Sequence, residues 1–176
     1  MASSGKFGRI RPLTVMAQGD KKEGLDGKTG GQDIYFPLNG GDFSDAGAGS
    51  KSLRSELAAL GVPAQVIRRA AICAFEAEIN VIIHAVAGSL HYLIEGETLT
   101  ITVTDMGPGI ADIGLAMKEG YTTAPDWARE FGWGSGMGLP NIKKNADALV
   151  IDSVPGEGTT LEITINLASP SNARQE

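Results

Sequence analysis

The sequence predicts an α+β fold in which helices cover one face of a mixed, mostly antiparallel sheet. Three observations carry that expectation. Residues 98 to 104 alternate strictly, with Leu99, Ile101 and Val103 on one face and Thr98, Thr100, Thr102 and Thr104 on the other, the two-residue period of a strand half exposed to solvent. Residues 63 to 86 form a long apolar stretch opened by Pro63, and proline is tolerated in a first helical turn because its missing N–H is not needed there. Strands and helices follow one another without regular βαβ alternation, which favours a layered α+β architecture over a parallel sheet.

The elements follow in order. Residues 1 to 32 are rich in Gly, Lys and Asp and show neither helical nor strand periodicity, so a flexible tail is expected. Its basic residues, Lys6, Arg9, Arg11, Lys21, Lys22 and Lys28, are interspersed with Asp20, Glu23 and Asp26, the pattern of a solvated extension. Order is expected over 33–168, with 169–176 a second tail. Ile34 to Leu38 reads as an edge strand because Pro37 cannot donate to a ladder on both sides. Lys51 to Leu60 reads as a helix stopped by Gly61, followed by the long helix. Leu90 to Ile94 pairs with the alternating strand as a hairpin. Beyond it come a short helix near Asp112 to Lys118, an irregular region to Gly138, a helix from Pro140 to Ala146, and strands near Leu149 to Val154 and Thr159 to Leu167.

At 176 residues and 42% hydrophobic content the chain is one domain's worth, able to bury a core without disulfide or metal. A net charge of -6 argues against a nucleic-acid partner, which would need a concentrated basic surface. Cys73 is the only cysteine, so no disulfide framework or cysteine-based zinc site forms within one chain. The start lacks an apolar signal core and no eighteen apolar residues run together, so a soluble, cytoplasmic protein with no membrane partner is expected.

Two glycine boxes carry the chemistry. Asp105-Met106-Gly107-Pro108-Gly109 follows the end of the alternating strand. A carboxylate there can accept a hydrogen bond from an exocyclic amine such as that of adenine, and the glycines let a flat base approach the backbone. Some residues later, Gly132-Trp133-Gly134-Ser135-Gly136-Met137-Gly138-Leu139 empties into a helix, offering backbone amides to phosphate. On the long helix, Arg69, Cys73, Glu76, Asn80 and His84 share one stripe at spacings of three and four. Glu76 and Asn80, one turn apart, could divide labour: Asn80 holding Mg²⁺ through its carbonyl oxygen, Glu76 orienting or deprotonating an attacking hydroxyl or water. An isolated pair of this kind is more often a plain polar helix face. Glu78 points about 160° from Asn80 by the helical angle, which suggests a surface or packing contact. His84 and His91 have no second metal ligand at a diagnostic spacing and read as structural. Trp127 and Trp133 lie in the irregular region, either covering a ligand or packed locally.

Rival nucleotide motifs are missing. There is no G-x-x-x-x-G-K-[ST], the glycine run is not G-x-G-x-x-G after a strand, and Asp105-Met106-Gly107 has no accompanying H-R-D loop.

Phe75-Glu76-Ala77-Glu78-Ile79-Asn80, Asp105 to Gly109, Gly134 to Leu139 and Gly156-Glu157-Gly158-Thr159-Thr160 resemble, in order, the N box, two glycine boxes and terminal Gly-Thr box of the gyrase/Hsp90/histidine-kinase/MutL (GHKL) ATPase superfamily. Within it the chain is most similar to bacterial anti-sigma-factor and switch-type serine/threonine kinases, through Asp105 to Ile113, Glu119-Gly120-Tyr121-Thr122-Thr123 and Gly136 to Pro140. The resemblance spans about 34 to 167. It implies a Bergerat-type two-layer α/β sandwich, ATP with Mg²⁺, and a serine or threonine acceptor on another protein, often a STAS-domain regulator. By position, Glu76 would be the general base and Asn80 the Mg²⁺ ligand. Asp105 would bind the adenine amino group, with Gly107, Gly109, Ile110 and Thr159 around the base. Thr122, Thr123, Gly134, Ser135, Gly136, Met137, Gly138 and Leu139 would form the lid and phosphate loop. Arg129 stands farther from the glycine box than in shorter family members, which leaves its role open between phosphate and partner.

No histidine precedes residue 63, so the phosphoacceptor hairpin of a sensor histidine kinase is not expected, and any kinase activity would act in trans. Two function classes follow from the resemblance: a kinase switching a regulatory partner, or a nucleotide-gated binding module that sequesters a sigma factor or activates a phosphatase without moving phosphate. A homodimer is a further expectation of the resemblance.

Overall fold

The structure, a computed structural model, describes residues 32–44 and 46–168. The tails expected at 1–32 and 169–176 lie outside the described residues, except that Gln32 opens the first strand.

The chain runs β1 (Gln32–Asn39), α1 (Ala48–Ala59), α2 (Ala64–His84), β2 (Ala87–Glu95), β3 (Thr98–Asp105), α3 (Ile113–Ala116), α4 (Asp126–Glu130), α5 (Gly138–Asn145), β4 (Ala148–Val154) and β5 (Gly158–Asn166). The sheet order is β1-β2-β3-β5-β4 and every pairing is antiparallel. The expectation of a mixed sheet is corrected to that extent among the described residues. The reason is topological. Two consecutive helices return the chain to the end of the sheet where β1 finished, and Gly40 N–H donates to Val86 O there across 2.9 Å. β2 therefore runs back against β1. β3 and β4 do point the same way, but β5 lies between them.

The alternation predicted for residues 98 to 104 holds. Leu99, Ile101 and Val103 are buried beneath the helices with Leu90, Tyr92, Leu161, Ile163 and Ile165, while the threonines lie on the other face. The first helix ends as glycine dictates. Gly61 adopts φ 73°, Val62 N–H reaches back to Leu57 O and Gly61 N–H to Ala58 O, the paired bonds that close a helix through a left-handed residue. Its start lies earlier than Lys51, and α4, within the expected irregular region, is a further element.

α2 is the central beam, with residues buried around most of its circumference, from Val66 and Ala70 to Glu78, Ile79 and Val81. α1 covers one flank and α5 the other. Among the described residues no helix is long and apolar enough to cross a membrane.

Candidate functional site

The stripe on α2 is the seam against α5, and the two helices are antiparallel. Arg69 Nε donates to Asn145 O across 2.8 Å and Arg69 Nη2 to Asp147 Oδ1 across 2.7 Å. One turn on, the Cys73 thiol reaches Ile142 O at 3.7 Å; burial pushes that thiol up to about 12, so it is an inert part of the seam. Glu76 Oε1 accepts the side-chain amide of Asn141 across 2.7 Å. Asn80 meets the first residue of α5: a Cβ on Gly138 would lie 2.9 Å from Asn80 Oδ1. Glycine at 138 therefore lets the helix N-terminus approach the Asn80 amide.

His84 ends α2, beside the first glycine box. Asp105 closes β3 and accepts Gly107 N–H at 2.7 Å. Burial raises the Asp105 carboxyl above its ordinary range, and the amides of Gly107 and Thr159 and the nearby His84 pull it back. The His84 imidazole is itself held down, first by burial and against the pull of Asp105. A Cβ on Gly107 would lie 2.7 Å from Asp105 Oδ1 and 3.2 Å from His84 O.

The box then docks on the β4–β5 hairpin. Gly109, at φ 67°, approaches so closely that a Cβ would stand 2.2 Å from Val154 O. Gly156 N–H donates to Pro108 O at 2.7 Å. Ile110 N–H donates to Ser153 Oγ at 2.8 Å, and the same hydroxyl lies 2.9 Å from Thr159 Oγ1 and donates to Gly158 O at 3.1 Å. Ser153 thus joins Ile110 to the buried Thr159. Sequence reasoning passed over it, although one signal was present: in the phase of β4 that carries Leu149 and Ile151 toward the helices, Ser153 is the polar member.

The segment expected to form the lid is folded on itself. Thr122 Oγ1 accepts Ala124 N–H at 3.0 Å. Gly134 lies against Ala124, where a Cβ would stand 2.3 Å from the alanine Cβ, and Gly136 against Gly120 and Tyr121, with Gly120 N–H donating to Gly136 O at 3.1 Å. These two glycines allow loop-on-loop contact as well as offering amides. Met137 precedes α5 and its carbonyl accepts Asn141 N–H at 2.8 Å, while Leu139 packs on the core. Thr123 and Ser135 are exposed, and among the described residues neither side chain is hydrogen bonded into the site.

Trp133 is a local packing element, while Trp127 touches the same aromatic group through Phe43 and stays 40% exposed. Phe43, in the loop after β1, stacks on Trp133 at 6.0 Å between centroids and meets Trp127 edge-on at 5.8 Å; Trp133 also tilts against Phe75 at 5.9 Å. Phe43, Phe75 and Trp133 pack on Ile79, Ile82, Ile83, Ala124 and Ala128 in a second apolar cluster that ties the loop around Trp133 to α2. Arg129 is exposed and pairs with Asp126 within α4.

Glu78 does not sit at the surface. It is wholly buried and its two oxygens accept the amides of Gly49 and Ser50 at 2.8 and 3.2 Å, so the surface option is overturned and the packing option stands. His91 pairs with Asp33 on the strands, in keeping with a structural role. No cluster of three or more His, Cys, Asp or Glu able to hold a metal occurs among the described residues.

Residues 46–165 match the family described as Histidine kinase-like ATPase domain. The chain is 33% identical over 104 residues to the anti-sigma F factor of Pasteuria penetrans, covering 55% of this chain and 66% of that protein. It is 39% identical over 64 residues to the serine/threonine-protein kinase RsbT of Bacillus subtilis (strain 168), covering 36% and 42%. An anti-sigma F factor of Thermoanaerobacter sp. (strain X514) is 34% identical over 99 residues, covering 53% and 66%. In each case the match spans less than two thirds of the relative. Among solved structures, a histidine kinase domain of the Erythrobacter litoralis EL346 blue-light activated histidine kinase aligns over 70% of this chain and 61% of that one, at 23% identity and a TM-score of 0.41, too distant to add to the fold already described.

Proposed function

This chain belongs to the histidine kinase-like ATPase family, and on that premise we propose that it is a serine/threonine protein kinase acting in trans, in the cytoplasm, on a regulatory partner of the STAS-domain kind. The observation that carries the proposal is the placement of Glu76 and Asn80 one turn apart, each facing the first turn of α5. A module that only bound nucleotide would have no use for a carboxylate beside the phosphate end.

The residues fit ATP in size and in order. From Glu76 to His84, beside Asp105, α2 rises about 12 Å, comparable to the span from a γ-phosphate to an adenine ring. Asp105 accepts the exocyclic amine, while Gly107 and Gly109 let the box close tightly on the end of α2 and on Val154 beside it. Thr159 and Ile110, tied through Ser153, wall that end. Gly134, Ser135, Gly136 and Met137 bring the lid to the phosphates with Thr122 and Thr123. The amides of Gly138 and Leu139, at a helix N-terminus with no side-chain cap, face the phosphate end. The Asn80 Oδ1 would hold Mg²⁺, which neutralises charge on the phosphates and orients them. Glu76 takes the proton of the acceptor hydroxyl as its oxygen bonds to the γ-phosphorus and the bond to the ADP oxygen breaks.

The experiment is incubation with Mg-ATP and each STAS-domain protein of the same genome, followed by intact-mass and peptide mass spectrometry for phosphoserine or phosphothreonine, with Glu76→Ala as control. The expected result is one partner gaining a phosphoryl group in a Glu76-dependent way while Glu76→Ala still binds ATP. Phosphorylation undiminished in Glu76→Ala would remove the base assignment. Bound ATP with no phosphorylated partner, and partner affinity that differs between ADP and ATP, would instead establish a nucleotide-gated switch on a sigma factor or phosphatase.

A further inference from the structure

Asn141 stands at the crossing of two functions. Its backbone N–H closes the first turn of α5 on Met137 O at 2.8 Å, the turn whose leading amides have no partner within the helix. Its side-chain amide donates to Glu76 Oε1 at 2.7 Å. Asn145 Nδ2 in turn donates to Asn141 O at 2.8 Å, and Arg69 holds Asn145 O at the far end of the same short helix.

We infer that Asn141 is a positioning residue that fixes the Glu76 carboxylate to the first turn of α5, so that the group receiving the proton and the turn facing the phosphates move as one. This rests on the reading of Glu76 as the base. A glutamate side chain has three rotatable bonds, and a carboxylate free to swing would meet the acceptor hydroxyl only a fraction of the time. One hydrogen bond to Oε1 restricts it and leaves Oε2, to which no side chain donates among the described residues, available for the hydroxyl proton. A neutral amide suits the task. A lysine or arginine at 141 would hold the carboxylate more tightly but would stabilise its charge and weaken it as a base. Gly138, which lies close to the Asn80 amide, is three residues before Asn141, so the turn that Asn141 ties to Glu76 is also the one that Asn80 faces.

Two variants and one spectrum test this. Asn141→Leu keeps the size and removes the donor; Asn141→Gln keeps a donor. With protein in excess over Mg-ATP, loss of the γ-phosphate to water is measured in a single turnover beside the ATP dissociation constant. Asn141→Leu is expected to slow turnover about 10- to 100-fold with ATP affinity changed by no more than about twofold, and Asn141→Gln to recover part of the loss. Independently of nucleotide, the assigned side-chain amide resonances of Asn141 should move on Glu76→Gln substitution. Resonances that stay in place, or Leu and Gln variants that lose rate equally, or ATP affinity falling in step with the rate, would overturn the inference. Failure of the base assignment looks different: Glu76→Ala would then turn over as fast as the wild type while the Asn141 resonances still moved on Glu76→Gln.

Discussion

Gly49 donates its backbone N–H to the carboxylate of Glu78 across 2.8 Å, and the buried acid thereby caps a helix that has no side-chain cap of its own. No space is left between them, since a Cβ on Gly49 would stand 2.8 Å from Glu78 Oε1. α1 begins where it does because a carboxylate from α2 is waiting for its first amides.

Burial raises the Glu78 carboxyl from an ordinary 4.5 to about 7, with the amides of Gly49 and Ser50 opposing part of the rise. The folded state therefore holds this proton more tightly than the unfolded chain does. The contribution to stability is complete below the unfolded value of 4.5 and is lost as pH rises through about 7. Urea unfolding should show the difference between wild type and Glu78→Gln changing by up to about 3 kcal/mol across that window, with the glutamine variant the flatter of the two. Parallel pH dependences would mean that Glu78 ionises in the fold as it does in the unfolded chain.

Gly138→Ala tests the close approach at Asn80. The new methyl would stand 2.9 Å from Asn80 Oδ1, and the far end of a side chain can swing aside where a backbone cannot. Folding should change by less than about 1 kcal/mol, while Asn80 is turned from its place. Calorimetric titration should then show Mg-ATP binding weakened about tenfold or more. ATP affinity at the wild-type level would show that Asn80 contributes nothing in its present rotamer.

Trp127 and Trp133 are the only tryptophans and both lie in the 119–138 segment against Phe43, Trp127 edge-on and Trp133 stacked, so tryptophan fluorescence reports that segment alone. A non-hydrolysable ATP analogue should change that emission and protect residues 119 to 138 from hydrogen exchange. Phe43→Ala removes the shared contact, each aromatic pair being worth roughly 0.5–1.5 kcal/mol beyond its buried area. Exchange across 119 to 138 should speed up without nucleotide and recover in part with it. An unchanged pattern in wild type and variant alike would describe a rigid, preformed lid.

Much of this was legible in the chain itself. Leu99, Ile101 and Val103 announce their strand and its buried face because a two-residue period has one physical meaning. Gly61 stops α1 because the left-handed turn favours glycine. The stripe Arg69, Cys73, Glu76, Asn80 was visible because helical spacing is local geometry. What the stripe faces was not. Asn145, Ile142, Asn141 and Gly138 meet it only because α5 packs antiparallel on α2, an arrangement set by the sheet order and not by any spacing within either helix.

Glu78 marks the boundary most clearly. Its angle away from Asn80 follows from the sequence, and on a helix buried along one side that angle means solvent. α2 is buried on both flanks, so the same angle places the carboxylate under α1. Ser153 follows the same logic in part: Thr159 faces it across its own hairpin, but Ile110 reaches it only through the docking of the glycine box on that hairpin. Sequence alone determined the elements, their periods and the residue types from which the proposed nucleotide site is drawn, because these depend on neighbours a few positions apart. Tertiary structure alone decided which polar groups meet, because a buried hydrogen bond depends on elements that only the closed sheet and its helices bring within reach.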